Sequence, residues 1–207
     1  MLTAILVAAG YIAGSIPSGY WLVRLFRHED IRTKGSGNIG GSNVWRVYGR
    51  YLGLPTVLLD TGKGFAPALV GVLLVGHGTG VLAGAAAMLG HYRPLFMRFQ
   101  RGGKIVATTG GAFLGVAPIV GGVGLLVWVV VFFTLRYPSL ASMVSASSLI
   151  AWSVLLGYPW PVTVFAAAAA VGVIVLHREN VKRLLRGEEN RSTLWRRWVG
   201  SRSATSP

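Results

Sequence analysis

Long apolar runs separated by short polar connections dominate this chain. A helix needs about 20 apolar residues to cross the hydrocarbon of a bilayer. Runs of that kind cover Thr3–Val23, Leu54–Gly76, Val81–Met97, Ser139–Leu156 and Pro161–Leu176. The stretch Ile105–Leu135 is long for one crossing and short for two. Gly121-Gly122, just after Pro118, predicts a break that divides it. The pattern thus predicts an all-α integral membrane fold, a seven-span helical bundle with short and broken helices.

The distribution of charge supports that count. The chain of 207 residues carries 20 Lys and Arg against 6 Asp and Glu, a net charge of +14, yet only 13% of it is charged. Soluble domains carry about 25% charged residues. A basic soluble protein would point to nucleic acid; the apolar runs argue against that partner and for anionic lipid. The cations collect in Arg24–Arg50, Arg93–Lys104, at Arg136, and from Arg178 onward. The alternate connections, Gly76–Gly80, Ala117–Gly122 and Gly157–Pro161, hold no Lys or Arg. The positive-inside rule then puts the N-terminus outside and the C-terminus in the cytoplasm. Were Ile105–Leu135 a single span, Arg136 would face outward and the cluster after it would invert. Met1-Leu2-Thr3 lacks the positive start of a cleaved signal peptide, so the first run reads as a retained span. One membrane domain is expected over residues 1–190, followed by a basic, weakly ordered cytoplasmic tail over 191–207 that carries Trp195 and Trp198.

The cationic connections hold most of the candidate chemistry. Lys34-Gly35-Ser36-Gly37-Asn38-Ile39-Gly40-Gly41-Ser42-Asn43 precedes Arg46. Its glycines fit G-x-G-x-x-G by spacing, but no preceding strand or βαβ unit supports a dinucleotide fold. The segment reads either as a Gly-rich turn or as an anion cradle of backbone amides with Ser36, Asn38, Ser42 and Asn43 as added donors. Ser42 or Asn43 is placed to cap a helix carrying Arg46. Asp60 and Lys63 lie at i, i+3, suited to a structural ion pair or to orienting a substrate-binding cation. His91 alone fits an interfacial histidine. Gly102-Gly103-Lys104 resembles part of a P-loop without the Ser or Thr that would follow the Lys, so an NTPase is not indicated. Arg136 stands before Ser139 and Ser142, and His177 lies at i, i+3 from Asn180. With no Cys, thiolate chemistry is excluded. No metal ligand set stands out, and no cofactor is expected.

Taken together these residues resemble the PlsY family of bacterial acyl-phosphate:glycerol-3-phosphate acyltransferases. The matching segments are Gly14-Ser15-Ile16-Pro17; Gly35-Ser36-Gly37-Asn38-Ile39-Gly40 with Asn43 and Arg46; Leu59-Asp60 with Lys63-Gly64; and Gly90-His91 with Pro94. They continue through Gly102-Gly103-Lys104 with Val106-Ala107-Thr108, Arg136-Tyr137 with Ser139-Leu140-Ala141-Ser142, and His177-Arg178 with Asn180.

The resemblance implies an enzyme of the bacterial cell (inner) membrane with a cytoplasmic active site. It would move a fatty acyl group from acyl phosphate to the 1-hydroxyl of glycerol 3-phosphate, giving lysophosphatidic acid and phosphate in phospholipid synthesis. Acyl phosphate is already activated, so no covalent enzyme intermediate is demanded. On this reading the loop Ser36, Gly37, Asn38, Gly40, Ser42 and Asn43 holds the donor phosphoryl group. Arg46 and Lys104 neutralise phosphate, with Gly102 and Gly103 shaping a nest. Ser142, His177 and Asn180 hold the acceptor. His177 assists removal of the acceptor proton, unless a substrate phosphate oxygen does so. Asp60, Lys63, His91 and Arg136 are supporting residues. The expected partners are acyl phosphate, glycerol 3-phosphate and membrane lipid, with no nucleic acid and no obligate protein partner.

The chain departs from the family pattern at Gly41-Ser42-Asn43, where Ala-Thr-Asn is usual, and at Ile105, where a glycine is usual. A β-branched residue disfavours positive φ, which predicts an altered nest. The alternatives are an organic-phosphate transporter, which would need polar access on both faces, and an inactive lipid-binding paralogue.

Overall fold

The computed structural model describes residues 1–192; Trp195, Trp198 and the rest of 193–207 lie outside them. The helices run in order α1 Leu2–Gly14, α2 Ser18–Arg27, α3 Gly41–Tyr48, α4 Arg50–Leu74, α5 His77–Tyr92, α6 Val106–Val116, α7 Pro118–Leu135, α8 Pro138–Leu155, α9 Trp160–Leu176 and α10 Arg178–Leu185. Among the described residues there is no strand. Among the described residues four units are long and apolar enough to cross a membrane: Leu2–Arg27, α4, α7 and α8. Helices α9 and α10 make a pair bent by 62°. With 16 and 11 residues, α5 and α6 are short.

Each break follows from a local cause. The first apolar run divides at Pro17, which has no amide hydrogen to continue the ladder of α1. Pro94 ends the third run early, so the helix stops at Tyr92 rather than at Met97. The division of the fourth run falls at Ala117 and not at Gly121-Gly122 as expected from the sequence. Pro118 fits the first position of α7, where a missing amide costs nothing. Gly121 sits inside α7 because its bare backbone lies on α6; a Cβ there would approach Leu114 N to 2.6 Å.

Helix α6 is the buried centre of the bundle. It packs backbone to backbone against α4, where a Cβ on Gly64 would collide with the Thr108 carbonyl and one on Gly111 with the Thr61 carbonyl. Small residues replace a hydrophobic driving force in such contacts, since lipid is as apolar as the side chains. The main core adds Phe113 stacked on Phe165 at 4.9 Å between ring centroids, with Val120, Leu149 and Val162. Ala166, Ala169 and Ala170 of α9 are buried packing residues.

The two ends of the bundle differ. At one end the uncharged connections gather, with His77, Ile119, Leu156, Gly157, Tyr158 and Pro159 lining a shallow cleft. The other end carries the basic segments, and the polar contacts described next join them.

Candidate active site

Three sets of side-chain bonds tie the basic segments into one face. Arg32 Nη1 donates to Gln100 Oε1 at 2.8 Å, joining the segment before α3 to the α5–α6 connection. Lys104 Nζ donates to Asn180 Oδ1 at 2.5 Å, joining that connection to α10. Ser139 Oγ donates to Glu189 Oε1 at 2.7 Å, and Arg191 Nε to the Tyr137 hydroxyl at 2.9 Å, joining the start of α8 to the segment after α10. The Ser192 amide closes the same junction on the Arg136 carbonyl at 2.7 Å.

The segment before α3 is organised from within. Asn43 is buried, and its amide is fully used: Oδ1 accepts from the Ser36 amide, while Nδ2 donates to the Lys34 and Asn38 carbonyls. The Gly37 amide bonds the Lys34 carbonyl and the Gly40 amide bonds Asn38 Oδ1. Gly35 takes φ 57 and leaves room for Asn43, which a Cβ would strike. Helix α3 is capped by Gly40 rather than by Ser42 or Asn43, which fall in its first turn. The reason is that Asn43 turns back to hold the loop. The amides of Ser36, Gly37 and Gly40 are therefore occupied. What faces outward is the Ser36 and Ser42 hydroxyls, the first turn of α3 and the exposed Arg46.

Asp60, Lys63 and His91 form a buried group behind this face. Lys63 Nζ lies 2.8 Å from Asp60 Oδ1 and donates to the Ile16 carbonyl at 2.9 Å, beside the break at Pro17. His91 Nδ1 lies 3.7 Å from Asp60 Oδ1, beyond hydrogen-bond reach. The group ties the broken first span to α4 and α5. Among the described residues no side-chain hydrogen bond or ion pair joins it to Lys104.

The Gly-Gly-Lys segment rests on that group. The Gly102 amide donates to the Tyr92 carbonyl at 2.8 Å and the Gly103 amide to the His91 carbonyl at 3.0 Å. A Cβ on Gly103 would strike the His91 ring. These amides complete the carbonyls at the end of α5 and are not an open anion nest; the glycines matter here by their size. Ile105 departs from the expectation too: it does adopt positive φ, at 58, and begins α6 with its side chain buried. An L-residue in that region costs about 1–2 kcal/mol.

Beyond Lys104 the polar groups converge on Glu189. Besides Ser139, it receives Asn180 Nδ2 and Arg183 Nε, each at 2.7 Å. Burial alone would raise its pKa; bonds from Ser139, Asn180 and Arg183 outweigh that and hold it below the ordinary value. Sequence reading passed over Glu189. The signal available was an acidic residue among basic ones just past His177 and Asn180, obscured by Glu188 beside it. Lys104 is pushed down to about 8, first by burial, then by the charge of Arg183, with Arg101 and Arg46 adding to it against Glu189. Three further cations thus bear on the lysine, and Glu189 is the anion that offsets them.

His177 lies in the bend just past α9. Its Nδ1 is 2.8 Å from the Val173 carbonyl, a group that only accepts, so that nitrogen carries the proton and Nε2 keeps a free lone pair. Burial, then the Lys104 charge, push its pKa down to about 4. Ser142 donates to the Pro138 carbonyl at 2.7 Å and accepts from Trp128 Nε1 at 3.1 Å, joining α7 to α8. It lies one turn from Ser139. Arg136 ends α7 in a left-handed turn with its side chain exposed.

The profile of the glycerol-3-phosphate acyltransferase family matches residues 4–187. The chain belongs to that family. A glycerol-3-phosphate acyltransferase from Desulforudis audaxviator is 40% identical over 187 residues, 90% of this chain and 94% of its own length. One from Aquifex aeolicus is 40% identical over 193 residues, 92% of this chain and 100% of its own. A crystal structure of PlsY, an integral membrane glycerol 3-phosphate acyltransferase in its glycerol 3-phosphate form, superposes with TM-score 0.91. It shares 37% identity and covers 96% of this chain and 100% of the other. The lysophosphatidic acid form gives TM-score 0.86 at 38% identity over 92% and 95% of the two chains. As a member of this acyltransferase family the chain is an enzyme of phospholipid synthesis.

Proposed function

We propose that the chain transfers a fatty acyl group from acyl phosphate to the 1-hydroxyl of glycerol 3-phosphate, releasing phosphate and lysophosphatidic acid. The observation that carries this reading is the cation excess around Lys104, linked to Asn180 and lying within the electrostatic reach of His177. Both substrates bear phosphate, and charge-assisted bonds to a phosphate are among the stronger polar contacts.

In this reading Lys104 and Arg46 bind phosphate, and the Ser36 and Ser42 hydroxyls with the start of α3 face the donor phosphoryl group. Asn43, Asn38, Gly37 and Gly40 shape that segment. Asn180 orients Lys104, and Ser142 lies at the acceptor side. The free lone pair of His177 Nε2 orients the acceptor hydroxyl and accepts its proton as the carbonyl is attacked. Because its pKa is pushed down to about 4, bound phosphate must first raise its basicity; otherwise a phosphate oxygen of the substrate takes the proton. Positioning and charge neutralisation supply most of the rate.

Topology follows the same proposal. With α1–α2, α4, α5, α6, α7, α8 and α9 counted as seven crossings, every basic connection falls on one side. The positive-inside rule makes that side cytoplasmic, with the N-terminus outside, in the bacterial cell membrane. No protein partner is required for the chemistry.

The test uses purified protein with labelled glycerol 3-phosphate and, separately, palmitoyl phosphate, palmitoyl-CoA and acyl-carrier protein. Lysophosphatidate from palmitoyl phosphate alone is expected. Product from the thioesters but not the acyl phosphate would sink the donor assignment. An intact His177→Ala enzyme with unchanged kcat would exclude His177 as the proton acceptor.

A further inference from the structure

One strained residue of the α5–α6 connection stands beside the proposed phosphate-binding lysine. This connection bends through left-handed backbone at Arg98, Phe99 and Ile105. Arg98 and Phe99 are exposed, whereas Ile105 is 5% exposed and belongs to the main core. A left-handed position at the surface is ordinarily filled by glycine or asparagine. Ile105 must therefore be kept there by what its side chain does.

What it touches is α9. A Cβ on Gly172 would meet Ile105 Cδ1 at 3.1 Å, and no other group lies within 4 Å of it. Gly172 thus provides a notch that receives the tip of Ile105. Five residues further along the same helix, about 7.5 Å by its rise, is His177. On its other side Ile105 is covalently joined to Lys104, and Gly102 and Gly103 are bonded to the end of α5. The short segment is consequently held at both ends. Its glycines grip α5, and its isoleucine grips α9.

We propose that Ile105 and Gly172 form a wedge and notch that sets the position of Lys104 relative to His177 and Asn180. Ile105 is a positioning residue and not a catalytic one, since it faces the core and not the polar face. The inference rests on the reading of Lys104 as a phosphate-binding group. It goes further by assigning the aim of that group to an apolar contact between α6 and α9. The left-handed turn at Ile105 directs the lysine toward α10, and the wedge prevents it from relaxing.

The experiment is a set of substitutions assayed with palmitoyl phosphate and glycerol 3-phosphate, each variant checked for folding by thermal unfolding in detergent. Ile105→Gly keeps the left-handed backbone accessible but removes the wedge. It is expected to raise KM for glycerol 3-phosphate roughly tenfold with kcat changed less than about twofold. Gly172→Ala fills the notch and is expected to raise KM about threefold in the parent. In an Ile105→Val background, where the tip methyl is gone, Gly172→Ala is expected to restore most of the parent KM, because the methyl moves from wedge to notch.

A merely structural role would lower stability without this split between KM and kcat and without the rescue. Parent-like KM in Ile105→Gly, or additive effects of Ile105→Val and Gly172→Ala, overturns the proposal. The two last variants alter one methyl each, so the test stands even where Ile105→Gly does not fold. Lys104→Met separates the underlying reading: an unchanged KM there removes Lys104 from phosphate binding. A crippled Lys104→Met beside a parent-like Ile105→Gly rejects the wedge alone.

Discussion

Two polar groups of the described residues are built from similar side chains and differ in how their charges are balanced. Asp60, Lys63 and His91 lie inside the bundle, with one carboxylate against one ammonium and the spare donor of Lys63 spent on the Ile16 carbonyl. Lys104, Asn180, Glu189 and Arg183 lie at the basic face, with Arg46 and Arg101 near them and Glu189 offsetting the cations. The first group sets its one anion against its one cation and ties the lysine to the Ile16 carbonyl. The second leaves positive charge unneutralised and partly open. That imbalance, and not the presence of charge as such, is what favours the second group as the proposed phosphate site.

Breaking the inner group should act on the fold. Asp60→Ala strands Lys63 in the bundle and should cost about 3–5 kcal/mol of stability, read as a large drop in thermal midpoint in detergent. Replacing both residues with apolar ones should cost less than either single change. If Asp60→Ala instead left stability intact and abolished binding of glycerol 3-phosphate, the division between the two groups would collapse.

Breaking the outer group should act on catalysis. Lys104→Met should lower kcat/KM for glycerol 3-phosphate roughly 10- to 150-fold, the worth of about 1.5–3 kcal/mol for a charged bond. Its thermal midpoint should barely move. The pH profile sharpens this. A lysine whose pKa is pushed down to about 8 loses its charge as pH rises through that value, so kcat/KM should fall on the alkaline side from about pH 8. Lys104→Arg, which keeps its proton, should remove that limb. His177, pushed down to about 4, is neutral throughout the neutral range and should give no limb there.

Smaller effects test the details. Glu189→Gln removes the anion that holds up the Lys104 pKa, so the alkaline limb should move to lower pH by a fraction of a unit. A shift upward would show that Glu189 does not act on Lys104. Ser42→Ala should change stability by less than about 0.5 kcal/mol, since the α3 cap is Gly40.

Much of this was legible beforehand because periodicity and charge are local properties. The apolar runs located α1–α2, α4, α5, α7, α8 and α9, but the first reads as unbroken through Pro17, where the structure divides it. The precise site of the break in the fourth run was not legible, since glycines that pack and glycines that bend look alike in a sequence. Gly121 packs on Leu114 and so stays helical. The same ambiguity made Gly102 and Gly103 look like an anion nest. Their amides instead complete the end of α5, a partner set by the fold. Asn43 looked like a ligand donor and proved to be the bond that shapes its own loop, because its three partners lie five to nine residues back in the chain.

The sequence by itself determined a helical, membrane-length bundle with its cations in alternate connections, because burial in lipid and charge placement depend on residue type and order alone. Only the tertiary structure decided which amides and side chains remain available. Hydrogen-bond capacity is finite, and which groups consume it depends on neighbours far away in the chain. Asn180 of α10 is shared by Lys104 of the α5–α6 connection and Glu189 beyond α10, and the tip of Ile105 meets Gly172 of α9. Those long-range pairings, invisible to local pattern, are what give the basic face its shape.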